Sequence, residues 1–172
     1  MRIERIWAMP SKWTFTIKPI NDLIKQEVGS GMFLEGKWID PFAGMNSPAQ
    51  IRNDINPDIS AESHMDAIDF LKSFEDESVD GVLFDPPYSP RQVAECYKNF
   101  GYEVTMKTTQ TTFWSRSKDE IARITKKGGK VLCFGWNSMG IGKTRGFEMT
   151  RVLLVPHGGA KNDTIVTVET KL

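Results

Sequence analysis

Gly81-Val82-Leu83-Phe84-Asp85-Pro86-Pro87-Tyr88 is the stretch whose reading decides the fold class. Its first four residues are uncharged and mostly apolar, as expected of a short strand covered on both faces. The next four end that strand abruptly. Two successive prolines fix their own φ angles and supply no N–H donors, so neither a strand nor a helix runs through them. Upstream, Lys37-Trp38-Ile39 reads as a second buried strand and runs into Asp40-Pro41-Phe42-Ala43-Gly44. Residues 51–55 read as a third, with Asp54 near its end. Three strand ends therefore carry acid-containing turns.

Helical patterns lie between and after these strands. Ile20, Leu23, Ile24 and Val28 recur at helical spacing, and Gly29-Ser30-Gly31 stops them. Residues 66–74 place Ala67, Ile68, Leu71 and Phe74 on one helical face. Residues 117–125 form a helix in which Ser117 is followed three positions later by Glu120, a capping-box pattern, and Gly128-Gly129 ends it. Residues 12–17 alternate Trp13 and Phe15 with polar neighbours, as in a strand. Residues 130–135, 150–155 and 164–170 read as strands, the last two joined through Pro156-His157-Gly158-Gly159 as a hairpin. The expected architecture is an α/β sheet, mostly parallel, with an antiparallel C-terminal hairpin. In open sheets of this kind, ligands sit beyond the carboxyl ends of the strands.

The length of 172 residues suits one domain. A content of 40% hydrophobic and 26% charged residues is that of an ordinary globular protein. No apolar run approaches the roughly 20 residues a membrane span needs, and no signal sequence is visible, so a cytoplasmic setting is expected. Cys96 and Cys133 lack zinc-ligand spacing, and His64 and His157 have no ligand partners nearby in sequence, so no metal is expected. The net charge of 0 argues against a strongly basic nucleic-acid module. It conceals an asymmetry. Residues 1–90 carry 8 Lys/Arg and 15 Asp/Glu, whereas residues 91–172 carry 14 and 7. Such polarity fits either a face that tolerates an anionic polymer or a late cluster of lysines on solvated helices.

The chemistry of Asp85-Pro86-Pro87-Tyr88 suits an exocyclic amine. The prolines leave their neighbourhood poor in donors and rich in rigid carbonyl acceptors. Asp85 and a proline carbonyl accept the two N–H bonds of an amine, and Tyr88 stacks on the ring that bears it. Acceptors fixed in advance around developing positive charge act as the mirror image of an oxyanion hole.

With these motifs the chain resembles the amino-group DNA methyltransferases, which use S-adenosylmethionine to methylate adenine N6 or cytosine N4. Asp40-Pro41-Phe42-Ala43-Gly44 is similar to that family's cofactor motif, and Asp85-Pro86-Pro87-Tyr88 to its catalytic motif. Residues 66–71 and 76–80 resemble the stretch leading into the latter, and Thr16-Ile17-Lys18-Pro19 resembles a Thr-x-Lys-Pro element. The resemblance spans residues 14–90 and implies a Rossmann-like methyltransferase sheet in a single domain, residues 1–172. It implies that Asp40, Phe42, Ala43 and Gly44 line the methionine end of the cofactor, with Thr16 and Lys18 nearby. Asp54 would hold the ribose hydroxyls, and Asp66, with Ala67, the adenine. Asp85, Pro86, Pro87 and Tyr88 would grip the target base, with aspartate at the first position favouring adenine N6 in DNA.

Two departures stand out. Only 13 residues separate Asp40 from Asp54, too few for a strand end, a turn and a helix, and Pro48 lies among them. No segment is long enough for a target-recognition domain. Residues 89–117 form the one candidate substrate-contacting insertion. There Lys98, Lys107, Arg116 and the adjacent Lys118 could meet phosphates, and Phe113-Trp114 could stack on a base, although core packing of that pair is preferred. RNA or single-stranded DNA, a protein glutamine, and a non-catalytic nucleic-acid-binding subunit remain alternatives, and a homodimer or a recognition partner would supply the missing specificity. Residues 137–144 mimic a P-loop but begin with Asn137 where glycine is required, so they read as a flexible Gly-rich loop.

Overall fold

A computed structural model describes residues 1–29, 36–104, 112–159 and 161–172. Its strands are β1 (Arg2–Arg5), β2 (Trp38–Asp40), β3 (Ile51–Arg52), β4 (Val79–Phe84), β5 (Thr125–Gly135), β6 (Phe147–Val155) and β7 (Thr164–Lys171). The helices are α1 (Lys18–Val28), α2 (Ala67–Lys72), α3 (Pro90–Asn99) and α4 (Thr112–Ile124). The strands form one sheet in the order β1-β6-β7-β5-β4-β2-β3. Only β7 runs against its neighbours, pairing antiparallel with β5 and β6. The mostly parallel sheet with an antiparallel C-terminal hairpin is thus as the sequence implies. Among the described residues no helix is long and apolar enough to cross a membrane.

The apolar run of β4 is covered on both sides. Leu83 faces the cluster built by Ile20, Leu23 and Ile24 of α1 with Leu132, Phe134 and Val166. Val82 and Phe84 face the opposite cluster, with Phe70 and Leu71 of α2 and Ile121 of α4. Each such side chain contributes about 1.5–3 kcal/mol when withdrawn from water. Gly81 is required here for space. A Cβ at this position would collide with the Trp38 indole on the neighbouring strand. Gly81→Ala is therefore expected to cost about 1–3 kcal/mol, read as a lower urea midpoint at unchanged slope.

Several local expectations are corrected. Residues 12–17 are not a strand but contain a 3-10 turn at Thr14–Thr16. The Thr16 hydroxyl donates to the Trp13 carbonyl at 2.7 Å, and the Ser11 hydroxyl accepts from the Trp13 amide at 3.1 Å. These short-range bonds satisfy the backbone locally and displace the ladder. Ser117 is not a helix cap. It is buried within α4, which already includes Thr112, and donates to the Phe113 carbonyl at 3.0 Å. The helix does not end at Gly128-Gly129 either, since β5 begins directly at Thr125. The described residues between 89 and 117 are largely helical: Ser89 caps α3, Pro90 occupies its first turn, and α4 covers Thr112–Ile124. Ser30 and Gly31 of the expected helix stop, and Lys107, lie outside the described residues.

The charge asymmetry has a structural use that neither sequence reading anticipated. Arg123 pairs with Asp76, Lys126 with Asp80, Lys130 with Glu27, and Lys171 with Glu77. Arg151 pairs with both Glu4 and Glu27. Bases of the second half thus meet acids of the first across the sheet. Most of these pairs are partly exposed and individually worth at most about 1 kcal/mol, while Arg151 is buried and its loss would leave Glu4 to Arg2 and Glu27 to Lys130 alone.

Candidate active site

The carboxyl ends of β2, β3 and β4 open on a cavity of about 540 Å3. Asp85 stands at the end of β4 in its wall, followed by Pro86, Pro87 and Tyr88. The Tyr88 hydroxyl donates to Asp85 Oδ1, and the Thr14 side chain stands beside the pair. Burial pushes the Asp85 carboxyl up to about 6, against the stabilising influence of the Thr14 and Tyr88 side chains. Burial and the adjacent carboxylate push the Tyr88 phenol far above its ordinary value, so it remains a donor. The Tyr88 amide donates to the Gln92 side chain at 2.7 Å, which ties the corner to the first turn of α3. The Tyr88 ring meets Trp136 edge to face at 5.4 Å. The Pro87 carbonyl, one of the acceptors expected to be free, accepts from the Trp114 indole N–H at 3.0 Å.

The turn after β2 is built without a helix, as the short spacing requires. Parallel strands are ordinarily joined by a dozen residues or more, usually helical. Here polar side chains tie the turn together. Asp40 is fully buried and accepts from the Phe42 amide at 2.9 Å and the Ser47 hydroxyl at 2.6 Å. Asp54 reaches back to the Gly44 amide at 2.9 Å and also accepts from the Asn56 amide at 2.9 Å. Asn53 is fully buried and joins three segments. Its Nδ2 donates to the Pro41 and Met65 carbonyls at 3.1 and 3.0 Å, and its Oδ1 accepts from the Ser63 hydroxyl and the Met65 amide at 2.7 and 3.0 Å.

Desolvation pushes the Asp40 carboxyl up to about 8, with Asp85 and Asp54 adding to the rise and the bonds from Ser47 and Phe42 opposing it. Between its unfolded value of 3.8 and about 8, the folded chain holds a proton that the unfolded chain has released. Stability therefore falls as pH rises through that window. Asp85 contributes only below about 6, so the fall between pH 6 and 8 isolates Asp40. It amounts to at most about 1.4 kcal/mol per pH unit. A side-chain amide mimics the protonated acid and does not titrate, so Asp40→Asn is expected to flatten the melting temperature between those pH values, as measured by calorimetry.

The sequence-predicted residues divide. The structure brings Asp85, Pro86, Pro87, Tyr88, Phe42, Asp54 and Ala67 to one cavity. Asp40, Ala43 and Gly44 shape the turn behind it. Asp66 is engaged elsewhere: it caps α2 by accepting from the Ile68 amide at 2.8 Å and the Asp69 amide at 3.3 Å, and it accepts the Tyr97 hydroxyl. Thr16 closes its turn, and Lys18 is exposed and paired with Asp22. In their place Thr14 and Ile17 border the cavity. Phe113 is buried against Phe42 and Tyr97, whereas Arg116 is exposed on α4. Sequence reasoning missed Thr14, Asn53, Tyr97 and Trp136. Of these only Tyr97 left a signal, four residues after Val93 and eight after the Ser89 cap. Two amides of the P-loop mimic, those of Ile141 and Gly142, are occupied by Glu169.

No protein-family model matches the sequence, and no curated protein does. Solved structures do share the architecture. The methyltransferase-type protein yhhF of Escherichia coli aligns over 96% of this chain and 91% of its own, with a TM-score of 0.57 and 9% identity. TrmN from Thermus thermophilus aligns over 91% of this chain and 49% of its own, with a TM-score of 0.56 and 15% identity. The Burkholderia thailandensis 1,6-didemethyltoxoflavin-N1-methyltransferase, solved with that compound and S-adenosylhomocysteine, aligns over 90% and 77%, with a TM-score of 0.56 and 10% identity. At such identities the likeness is one of architecture, and the chain carries the fold of the S-adenosylmethionine-dependent methyltransferases.

Proposed function

We propose that the protein is an S-adenosylmethionine-dependent methyltransferase acting on the exocyclic amine of a nucleobase, adenine N6 in a nucleic acid. One observation carries this reading: a partly buried carboxylate at the end of β4, set beside two prolines and a tyrosine in the wall of a ligand-sized cavity.

The residues fit the cofactor. A volume of about 540 Å3 lies within the range of small-molecule sites, roughly 300–1,000 Å3. Each Asp54 oxygen accepts one backbone N–H and keeps a second lone pair, enough for two ribose hydroxyls. Phe42, Ile55, Met65 and Ala67 supply apolar walls for a purine. When bound, S-adenosylmethionine supplies a methyl group on a positively charged sulfur.

The protein's own contribution is orientation and charge. Asp85 Oδ1 is held by Tyr88, which fixes the plane of the carboxylate and directs its remaining lone pairs to a substrate N–H. Accepting that bond raises electron density on the amine nitrogen. Ionised above about pH 6, Asp85 can also receive the proton that the methylated amine sheds. Enclosure by Thr14, Pro86 and Tyr88 limits water beside the nucleophile. In a duplex the base would have to leave the stack, at a cost of a few kcal/mol, so unpaired adenines are the favoured targets. The toxoflavin enzyme, named as an N1-methyltransferase, is an example of methyl transfer to nitrogen on this architecture.

Calorimetric titration with S-adenosylhomocysteine is expected to show binding. Incubation with methyl-labelled cofactor and unpaired or paired DNA and RNA is expected to yield N6-methyladenine, identified by mass spectrometry after digestion. Absence of cofactor heat would reject the enzyme reading, and label on another atom would reject the target.

A further inference from the structure

A second cavity, of about 460 Å3, adjoins the first. Pro86, Tyr88 and Trp136 border both. Beyond these shared residues it is lined by Trp114 and Lys118 of α4 and by Asn137 and Met139 after β5. The mechanism above uses none of these four as a direct contact.

The surface is suited to a planar, anionic ligand. Trp136 is 41% exposed and Met139 74%, yet both border a concavity. The cationic groups there are Lys118 and Arg145. Arg145 is committed to Asp119, the Ser115 hydroxyl and the Ile141 carbonyl. Lys118 is partly buried and forms no ion pair among the described residues, although five other bases of the same half are paired across the sheet. A partly buried lysine without a carboxylate partner in a cavity wall suits an anion.

We propose that this cavity seats the nucleotide next to the target base in a single-stranded nucleic acid, with Lys118 on the phosphate that joins the two. The inference rests on the nucleic-acid reading of the first cavity. Two hollows sharing one aromatic wall match two successive rings joined by one phosphate, the repeat unit of a single strand. The flanking ring stacks on Trp136 or Trp114, and Met139 closes over it. A paired strand would have to unstack two bases to fill both hollows, which selects single strands. Because stacking accepts any base, the subsite grips the strand without reading its sequence.

The test uses a fluorescein-labelled single-stranded oligodeoxynucleotide of about a dozen nucleotides with one adenine, read by anisotropy over a range of salt. Lys118→Gln is expected to weaken binding about tenfold and to lower the salt slope by about 0.7, one phosphate's share for a single strand. Removing the bases on both sides of the adenine is expected to weaken binding to the native protein about tenfold or more. Unchanged affinity and slope in Lys118→Gln, or equal binding of the abasic strand, would overturn the proposal. Preference for an acidic peptide such as oligoglutamate over the oligonucleotide would do the same. Calorimetry with S-adenosylhomocysteine on both proteins separates the two levels. Intact cofactor heat with Lys118-independent strand binding rejects only this subsite. Absent cofactor heat rejects the enzyme reading, and the strand-binding result still decides the subsite.

Discussion

Asp85→Ala should lower methyl transfer by about a thousandfold while cofactor affinity changes little. A preorganised group facing the charge that develops at the reacting atom typically accounts for a loss of that size. The protein should stay folded. Removing a carboxyl whose burial is unfavourable relieves one cost, while the Tyr88 hydroxyl loses its acceptor, at about 1–3 kcal/mol if it finds no water. The native enzyme should show kcat/KM falling as pH drops through about 6, because the protonated acid no longer accepts from the amine with full charge. Asp85→Asn, which does not titrate, should lose that limb and run at a reduced rate across the whole range. Turnover of the alanine variant above a tenth of native would place the chemistry elsewhere.

The second large effect concerns a residue outside the chemistry. Asn53→Ala removes four hydrogen bonds at a site with no exposure and leaves the Pro41 and Met65 carbonyls and the Met65 amide without that partner. The expected loss is about 3 kcal/mol or more, since each stranded buried group costs about 1–3 kcal/mol. For a chain of this length that is a drop of roughly 10 °C in melting temperature. Cofactor binding should weaken with it, because the turns carrying Phe42, Asp54 and Met65 share this one anchor. Asn53→Asp tests the cause. It keeps the volume and loses both donors, so it should be destabilised as well. A shift below about 3 °C in both variants would show that the turns hold without it.

The contrast between Asp85 and Asn53 shows what a linear reading can recover. Asp85 was legible because its meaning is local: an apolar strand stops at two prolines, and the carboxylate must sit at the strand's end. Asn53 is no different in sequence from any asparagine near a turn, and its partners lie 10 and 12 positions away. Helix α1 and strands β4, β6 and β7 were legible for the same local reason, since each repeats one period over enough residues. Strand β1 was not. Arg2-Ile3-Glu4-Arg5 carries three charges in four residues, and its register pairs Arg2 with Arg151, a partner at the other end of the chain. Ser117 and Glu120 misled because a hydroxyl three residues before a glutamate is a cap only if the chain turns there. The helix had already begun, driven by the burial of Phe113. Asp66, read as a cofactor contact, is engaged by the helix it opens and by Tyr97, a geometry that depends on α3 folding back beside α2.

The ion pairs across the sheet imply how the molecule would behave if severed near residue 90. The two pieces would carry formal charges of −7 and +7, and the cut would part β4 from β5 and β1 from β6. Each alone would repel itself and leave an apolar strand edge bare. Mixed, they would be drawn together from beyond contact range, at a rate that slackens as added electrolyte shortens the reach of the attraction. The chain is thus arranged for fragment complementation, with the opposite polarity of its halves serving as a long-range guide to its own assembly.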